Sequence, residues 1–213
     1  MPDLSSIILL IPPVLFALTV HEYAHGWTAY HLGDPTAKMA GRLTLNPIAH
    51  LDPIGTILLF IAYFGWARPV PVNPSYFVNP RRDMVWVSLA GPVSNIIFAA
   101  LLGAALRPLV QLGIVESFGF IYRMLTIGVF INLMLALFNL IPIPPLDGSK
   151  ALAGLLPSHT AEWFLRLERL GPLVLLGLII AGRMLGVPIF GYIIYPPADY
   201  LYRLFTGGAP LLN

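Results

Sequence analysis

The stretch "LSSIILLIPPVLFALTVHEYAH", residues 4–25, joins a long apolar run to two histidines and a glutamate. A run of about 20 apolar residues can cross the hydrocarbon core of a bilayer as a helix. Ionisable side chains are costly in hydrocarbon, and those found there usually serve a function. The stretch therefore predicts a membrane helix whose second half carries a functional site.

The composition of the whole chain indicates the same class of protein. Of its 213 residues, 57% are hydrophobic and only 10% are charged, and the mean hydropathy is +0.80. Soluble domains carry about 25% charged residues. With no cysteine and a net charge of only +2, the chain has no thiolate metal site, no disulfide and no nucleic-acid footprint. We predict an all-α polytopic membrane protein with the lipid bilayer as its surroundings, folded as a single domain over residues 1–213.

Apolar runs and their punctuation predict about five transmembrane helices. The first covers residues 4–32 and ends at the turn formers that follow. The others are expected at residues 84–106, 118–141, about 170–181 and about 188–205. Pro196 and Pro197 are expected to interrupt the last of these.

Two shorter segments between the first and second spans have a different character. Residues 54–66 are apolar but number only 13, about 20 Å as a helix, which is short for a crossing and favours a re-entrant segment. Residues 41–45, between turn formers, predict a short extended stretch, which we expect to line the functional site carried by the first helix. Residues 67–82 form a proline-rich loop.

The sequence "HEYAH" at residues 21–25 has the spacing of a metal site. His21 and His25 lie four residues apart on a helix, so both imidazoles point to one side and can bind a single ion. Glu22 lies about 100° round the helix from His21, where its carboxylate can reach a zinc-activated water and take its proton. The plainer interpretation is a set of polar side chains at the end of a membrane helix.

A catalytic zinc site needs a third protein ligand in addition to two histidines. Asp147, in "NLIPIPPLDGSK", follows the end of a predicted span on a stiff, proline-rich turn. Non-helical chain at membrane depth occurs only where it is buried in protein or lines a cavity. The alternative for Asp147 is an N-cap of a helix beginning near Gly148, and Asp52 is then the next candidate ligand.

Four segments together resemble the site-2 protease family, the intramembrane zinc metalloproteases. They are HEYAH at 21–25, GRLTLNPIAHLDPIGTI at 41–57, AGPVSN at 90–95 and FNLIPIPPLDG at 138–148. The chain is most similar to the small prokaryotic members without PDZ or CBS domains. The resemblance implies an endopeptidase of the inner cell membrane that hydrolyses peptide bonds in or near transmembrane segments of other proteins, as in regulated intramembrane proteolysis.

The same resemblance implies a role for individual residues. It implies one zinc ion per chain bound by His21, His25 and Asp147, with Glu22 as the catalytic base. It also implies that Asn95 and Asn139 bind the substrate backbone or the oxyanion. A structural hydrogen bond between helices is an equal alternative for either asparagine.

The charges test the topology without reference to any family. If residues 54–66 crossed the bilayer, Asp147 would emerge on the side opposite the histidines, so one shared metal ion requires the re-entrant interpretation. Nine basic residues then lie on the side of the site and three on the other. The nine are Lys38, Arg42, Arg68, Arg81, Arg82, Lys150, Arg166, Arg169 and Arg203, and the three are Arg107, Arg123 and Arg183. Basic residues favour the cytoplasmic side, so the active site is expected near the cytoplasm.

A rival from another class is a transporter or channel in which His21, Glu22, His25 and Asp147 form a proton or metal pathway. Its sequence support is weak, because no inverted repeat is evident and the set of donors suits a tetrahedral site better than a path. The oligomeric state and the identity of the substrate are not indicated by the sequence.

Overall fold

The first helix, α1, spans Leu4–His31 and runs without a break through Pro12 and Pro13. The computed structural model describes residues 4–53, 55, 67–115, 118–157, 159–161, 164 and 170–210. The helix ends where Gly33 takes a φ of +107°, a conformation that glycine adopts without strain. The predicted helix over residues 4–32 is therefore confirmed nearly to the residue.

Six further α-helices follow α1 in the described residues, together with short 3-10 helices at Pro47–His50 and Pro74–Tyr76. The α-helices are α2 (Thr36–Met39), α3 (Pro80–Gln111), α4 (Gly119–Asn139), α5 (Asp147–Leu155), α6 (Gly171–Met184) and α7 (Ile189–Thr206). Pro196 and Pro197 do not interrupt α7. Packing against neighbouring helices can compensate for the backbone hydrogen bonds that proline removes from a membrane helix.

Three of these helices are long and apolar enough to cross a membrane. The candidate spans are Ile8–His31, Pro80–Gln111 and Gly119–Asn139. Large apolar side chains such as Phe16 and Leu101 are more than half exposed on these helices, as expected where lipid covers the surface. The molecule is therefore a helical membrane protein, and the total of five spans stays a prediction.

The helices pack so that α1 lies against both α3 and α4. The buried cluster of α3, α4 and α7 consists of Ala99, Val129, Leu133, Ala198 and Tyr202. Small side chains at such contacts let helix backbones approach closely, which is the usual way helices associate within a bilayer.

Residues 41–46 are turn, bend and coil, and the described part of the chain contains no strand. Gly41 has a φ of +66°, and the N–H of Arg42 donates to the carbonyl of Ala37 at 2.8 Å. The N–H of Asn46 donates to Oγ1 of Thr44 at 3.1 Å. Because local turns use these donors, the stretch that we expected to be extended is not paired as a strand.

The predicted re-entrant segment, residues 54–66, lies outside the described residues apart from residue 55. Its two flanks are described, and they meet. Leu51 and Ala67 form an isolated antiparallel bridge, and the N–H of Arg68 donates to the carbonyl of His50 at 2.9 Å. The chain therefore leaves this segment beside the point where it entered. We call residues 67–73, which follow the bridge, the strap.

Candidate metal centre and active site

The two histidines of α1 lie side by side in the protein interior. Their ring centroids are 4.7 Å apart, and His21 and His25 are only 5% and 9% exposed. One helical turn separates them, so both rings leave the same face of α1, as the spacing predicts. Any ion that one ring binds is therefore within reach of the other.

Asp147 joins the two histidines from the far part of the chain. Its Oδ2 lies 3.0 Å from Nε2 of His21 and 3.2 Å from Nε2 of His25. Asp147 is the first residue of α5 and makes no capping hydrogen bond; Leu146 occupies the N-cap position. The N-cap interpretation of Asp147 is thus not what the structure shows, because its carboxylate points at the imidazoles.

A close approach of backbones puts Asp147 in this position. A Cβ atom on Gly148 would lie 2.3 Å from the carbonyl oxygen of Leu140, at the end of α4. Only glycine fits there, so the turn can fold tightly beneath α4. Ser149 also donates its hydroxyl to the carbonyl of Leu146 at 2.6 Å, which reinforces the first turn of α5.

The hydrogen bonds behind each imidazole determine which nitrogen carries the proton. Nδ1 of His25 lies 2.7 Å from the carbonyl oxygen of Val87, which can only accept, so Nδ1 is the protonated nitrogen. Nδ1 of His21 lies 2.6 Å from Oδ1 of Asn95, whose amide nitrogen donates to the carbonyl of Ala17. In both neutral rings Nε2 therefore carries the lone pair, which is the form that binds metal.

The third group of the cluster is ionised. Burial raises the pKa of Asp147, but the two imidazoles beside it outweigh burial and hold the pKa well below its ordinary value. Two nitrogen lone pairs and a carboxylate oxygen thus converge, with their donor atoms within 4.8 Å of one another. Such a set repels itself unless a positive centre lies between the atoms.

The spacing of the cluster suits zinc. A tetrahedral zinc ion with bonds of about 2.0–2.2 Å holds its ligand atoms roughly 3.3–3.5 Å apart. The two distances to Asp147, 3.0 and 3.2 Å, are close to that value. Two imidazoles and one carboxylate are also a donor set found in catalytic zinc sites, which leave one position for water. The residues present therefore fit a zinc ion.

A glycine on α3 makes room for the cluster. A Cβ atom on Gly91 would lie 2.4 Å from Nε2 of His25 and 2.7 Å from Nε2 of His21. Any other residue at this position would therefore occupy the space in which the two nitrogens converge. The sequence analysis did not identify Gly91, although "AGPVSN" contained the signal of a small residue one turn before a buried amide.

Glu22 points from α1 toward the strap. Its Oε2 accepts a hydrogen bond of 2.8 Å from the backbone N–H of Val70. Arg42 donates to the carbonyl of Arg68 at 2.5 Å and is only 7% exposed. Burial and the charge of Arg68 lower the pKa of Arg42, while the negative charge of Glu22 raises it. A buried cation therefore lies within the electrostatic reach of the carboxylate.

Asp34 fastens the other end of the strap. Its Oδ2 accepts from the N–H of Asn73 at 2.7 Å, and its Oδ1 accepts from both the N–H and the hydroxyl of Thr36. Asp34 itself is fully buried. The strap is thus tied at both ends to the region that follows α1, with Val70 against Glu22 between the ties.

The two asparagines implied as substrate ligands make hydrogen bonds within the protein. Asn95 is fully buried behind His21, and its amide nitrogen donates to two acceptors, the carbonyl of Ala17 and Oδ1 of Asn132. The amide nitrogen of Asn139 donates to the carbonyl of Leu135, one turn back in α4. Both N–H donors of the Asn95 amide, and one of the two on Asn139, are therefore used within the protein.

The remaining polar residues of the region hold the loop. Oδ1 of Asp52 accepts from the N–H of Gly55 at 2.8 Å, so Asp52 is not part of the ligand cluster. His50 is buried and donates from Nε2 to the carbonyl of Thr44 at 2.8 Å.

Comparison with known proteins places this geometry in a family. The model of peptidase family M50 matches residues 109–179, which include Asp147. YwhC of Bacillus subtilis (strain 168) is 42% identical over 205 residues, covering 92% of this chain and 90% of its own. Rip2 of Mycobacterium tuberculosis (strain ATCC 25618 / H37Rv) is 33% identical over 216 residues, covering 96% of this chain and 79% of its own.

The curated names of both relatives assign them to the zinc metalloproteases. No solved structure matches the chain. The similarity extends over nearly the whole chain and includes the helices that carry the histidines, the glutamate and the aspartate. The chain therefore belongs to peptidase family M50, the site-2 protease family of zinc metalloproteases.

Proposed function

We propose that this protein is an intramembrane zinc endopeptidase that cleaves other membrane proteins in or near their transmembrane segments. The observation that carries the proposal is the convergence of Nε2 of His21, Nε2 of His25 and Oδ2 of Asp147 inside a helical membrane protein. Glu22, the neighbour of His21 on α1, supplies a carboxylate whose charge acts on His25.

In this proposal His21, His25 and Asp147 hold a single zinc ion. When bound, zinc supplies Lewis acidity, which polarises a carbonyl and lets water lose a proton near neutral pH. Val87 and Asn95 support the two imidazoles from behind, so that neither ring has to reorient when it binds metal. The protein thus offers a site that is already arranged for the ion.

Glu22 is the proposed general base and, later, the general acid. Val70 binds Oε2, and in the part of the chain that the structure describes no group donates to Oε1. Oε1 can take one proton from the attacking water as its oxygen bonds to the scissile carbonyl carbon. Glu22 then returns that proton to the amide nitrogen as the C–N bond breaks. The carboxylate ends the cycle as it began, and one water is consumed.

The substrates in this proposal are transmembrane proteins whose helices unwind locally, because a peptide bond within a helix is shielded. The location of the site supports such substrates. The histidines lie in the second half of an apolar helix whose sides expose large hydrophobic residues, among them Phe16 and Trp27. A segment that enters sideways from the bilayer meets apolar surface before it reaches the cluster.

We further propose that the protein crosses the inner cell membrane several times, with the active site toward the cytoplasm. The nine-to-three distribution of basic residues supports this orientation. The bridge between Leu51 and Ala67 supports a common side for the loops before and after residues 54–66. The tie between Asp34 and Asn73 supports it in the same way.

The experiment uses the purified full chain in liposomes with a panel of single-span model substrates. We expect one zinc per chain and cleavage within or beside the substrate span, mapped by mass spectrometry. A zinc chelator should stop cleavage, and added zinc should restore it. Zinc binding without cleavage, together with proton or metal flux across the liposome, would instead establish the transporter alternative.

A further inference from the structure

A chain of two buried amides connects the metal cluster to the centre of the helix bundle. Asn95 on α3 and Asn132 on α4 are both fully buried. The amide nitrogen of Asn95 donates to Oδ1 of Asn132 at 2.7 Å and to the carbonyl of Ala17 at 2.9 Å. Its own Oδ1 lies 2.6 Å from Nδ1 of His21. The amides therefore join α1, α3 and α4.

The direction of every bond in this chain follows from its two backbone ends. The carbonyl of Gly128 can only accept, so the group of Asn132 that faces it at 2.8 Å is the amide nitrogen. Oδ1 of Asn132 must then face Asn95. The carbonyl of Ala17 imposes the same orientation on Asn95, whose Oδ1 is left pointing at His21.

The consequence is chemical as well as structural. A buried amide beside His21 could present either its oxygen or its nitrogen to the ring, and the carbonyls of Ala17 and Gly128 select the oxygen. Here the orientation presents an acceptor, and nothing else, to Nδ1 of His21. The proton is therefore kept on Nδ1, and Nε2 is left with its lone pair facing Asp147. A flip of the Asn95 amide would place an N–H against Nδ1 and favour the other tautomer, which cannot bind metal through Nε2.

We propose that Asn95, oriented by Asn132 and the carbonyl of Ala17, is a positioning residue that fixes the metal-binding tautomer of His21. The inference rests on the proposed zinc site and deepens it. It also replaces the expected contact of Asn95 with substrate, since both donors of its amide are used inside the protein.

The free-energy cost of burying two amides agrees with a positioning role for Asn95. An unpaired polar group in an apolar interior is expensive, and two leucines would fill the same space without that risk. The pair avoids the penalty because each amide nitrogen has an acceptor, and because Oδ1 of Asn95 accepts from His21. Removing one member leaves its partner unsatisfied, so the network acts as a unit.

The test measures zinc affinity, by competition with a fluorescent chelator, for the purified protein and three variants. Asn95→Leu has similar volume but no acceptor, and it should weaken zinc binding about 10–100-fold, the usual range for a partner behind a metal ligand. Asn95→Asp keeps an acceptor for Nδ1 of His21 and should retain most of the affinity. Thr206→Val removes another buried polar group, one whose hydroxyl donates to Tyr202 within α7, and should leave zinc binding unchanged.

Turnover at saturating zinc separates this positioning role from that of an oxyanion donor and from that of a helix connector. We expect Asn95→Leu to regain activity as zinc is raised, with an unchanged KM for substrate. Unchanged zinc affinity with lost turnover would make Asn95 an oxyanion donor and overturn the proposal. Unchanged affinity and turnover, with only lower thermal stability, would make it a helix connector and overturn the proposal equally. If the unmodified protein bound no zinc, the proposed function itself would fail, and the two failures are therefore distinguishable.

Discussion

The backbone N–H of Val70 donates to Oε2 of Glu22 at 2.8 Å, across 48 residues of sequence. This bond fixes the position of one oxygen of the carboxylate. It also ties the strap to α1 at the level of the active site. The position of the Glu22 carboxylate thus depends on a segment remote from HEYAH in the sequence.

Glu22→Gln should retain zinc but lose turnover. The glutamine carbonyl can still accept from Val70, and the three ligand side chains are unchanged, so the site should stay assembled. Without a carboxylate no group can take the proton of the attacking water. Such a base contributes about 10²–10⁴-fold to rate. Zinc content and cleavage of a model substrate are measured on the same preparation. A near-normal rate at full zinc content would show that another group is the base.

Asp147→Ala should lose zinc and activity together. Two histidines alone make an incomplete site. We therefore expect the affinity for zinc to fall by more than about 10–100-fold, the loss typical when a residue that hydrogen-bonds to a metal ligand is replaced. Asp52→Ala is the matched control, because its carboxylate accepts from Gly55 and lies outside the cluster. Zinc retained in the first variant and lost in the second would move the third ligand to Asp52.

Gly91→Ala should abolish zinc binding although it adds only one carbon. The new Cβ would lie 2.4 Å from Nε2 of His25, so the ring must turn away from the cluster. Gly177→Ala is the control, since a Cβ there meets nothing within 4 Å and alanine favours helix. Zinc stoichiometry is the measurement. Equal zinc content in both variants would mean that the backbone of α3 shifts to accommodate the methyl group.

Asp34→Asn should destabilise the protein by about 1–3 kcal/mol, the cost of leaving a buried donor without its acceptor. The amide that replaces one carboxylate oxygen would face an N–H of Thr36 or Asn73 instead of accepting from it. Asp199→Asn is the control, because its pair with Arg203 is on the surface, where ion pairs contribute little to stability. Thermal unfolding in detergent measures both. Equal shifts in Tm would contradict a structural role for the strap.

The loops on both sides of residues 54–66 should be accessible from the same, cytoplasmic side. Single cysteines at Thr44 and Ser75 in this cysteine-free chain can be labelled with an impermeant reagent from either face of the membrane. We expect both to react from the cytoplasmic face, because Leu51 and Ala67 are paired. Labelling from opposite faces would contradict the topology and the assignment of Asp147 to the site.

Sequence alone determined the class of protein, the first helix and the pairing of the histidines. These properties depend on local patterns: hydropathy over about 20 residues decides membrane insertion. Glycine and proline mark helix ends, and a spacing of four puts two side chains on one face of a helix. The prolines of α7 show the limit of such rules, since packing between helices overrides a local preference against helix.

Only the tertiary structure decided what surrounds the histidines. Asp147 lies 122 residues from His25 and meets it through the turn beneath α4. The carbonyl of Val87 and the N–H of Val70 are backbone groups. Every residue has such a carbonyl and every residue but proline has such an N–H, so no side-chain pattern indicates their role. The role of Asn95 depends on which way its amide faces, and that is set by acceptors on two other helices. Local sequence can place a donor or an acceptor on a helix, but its partner and direction are determined only when the helices pack.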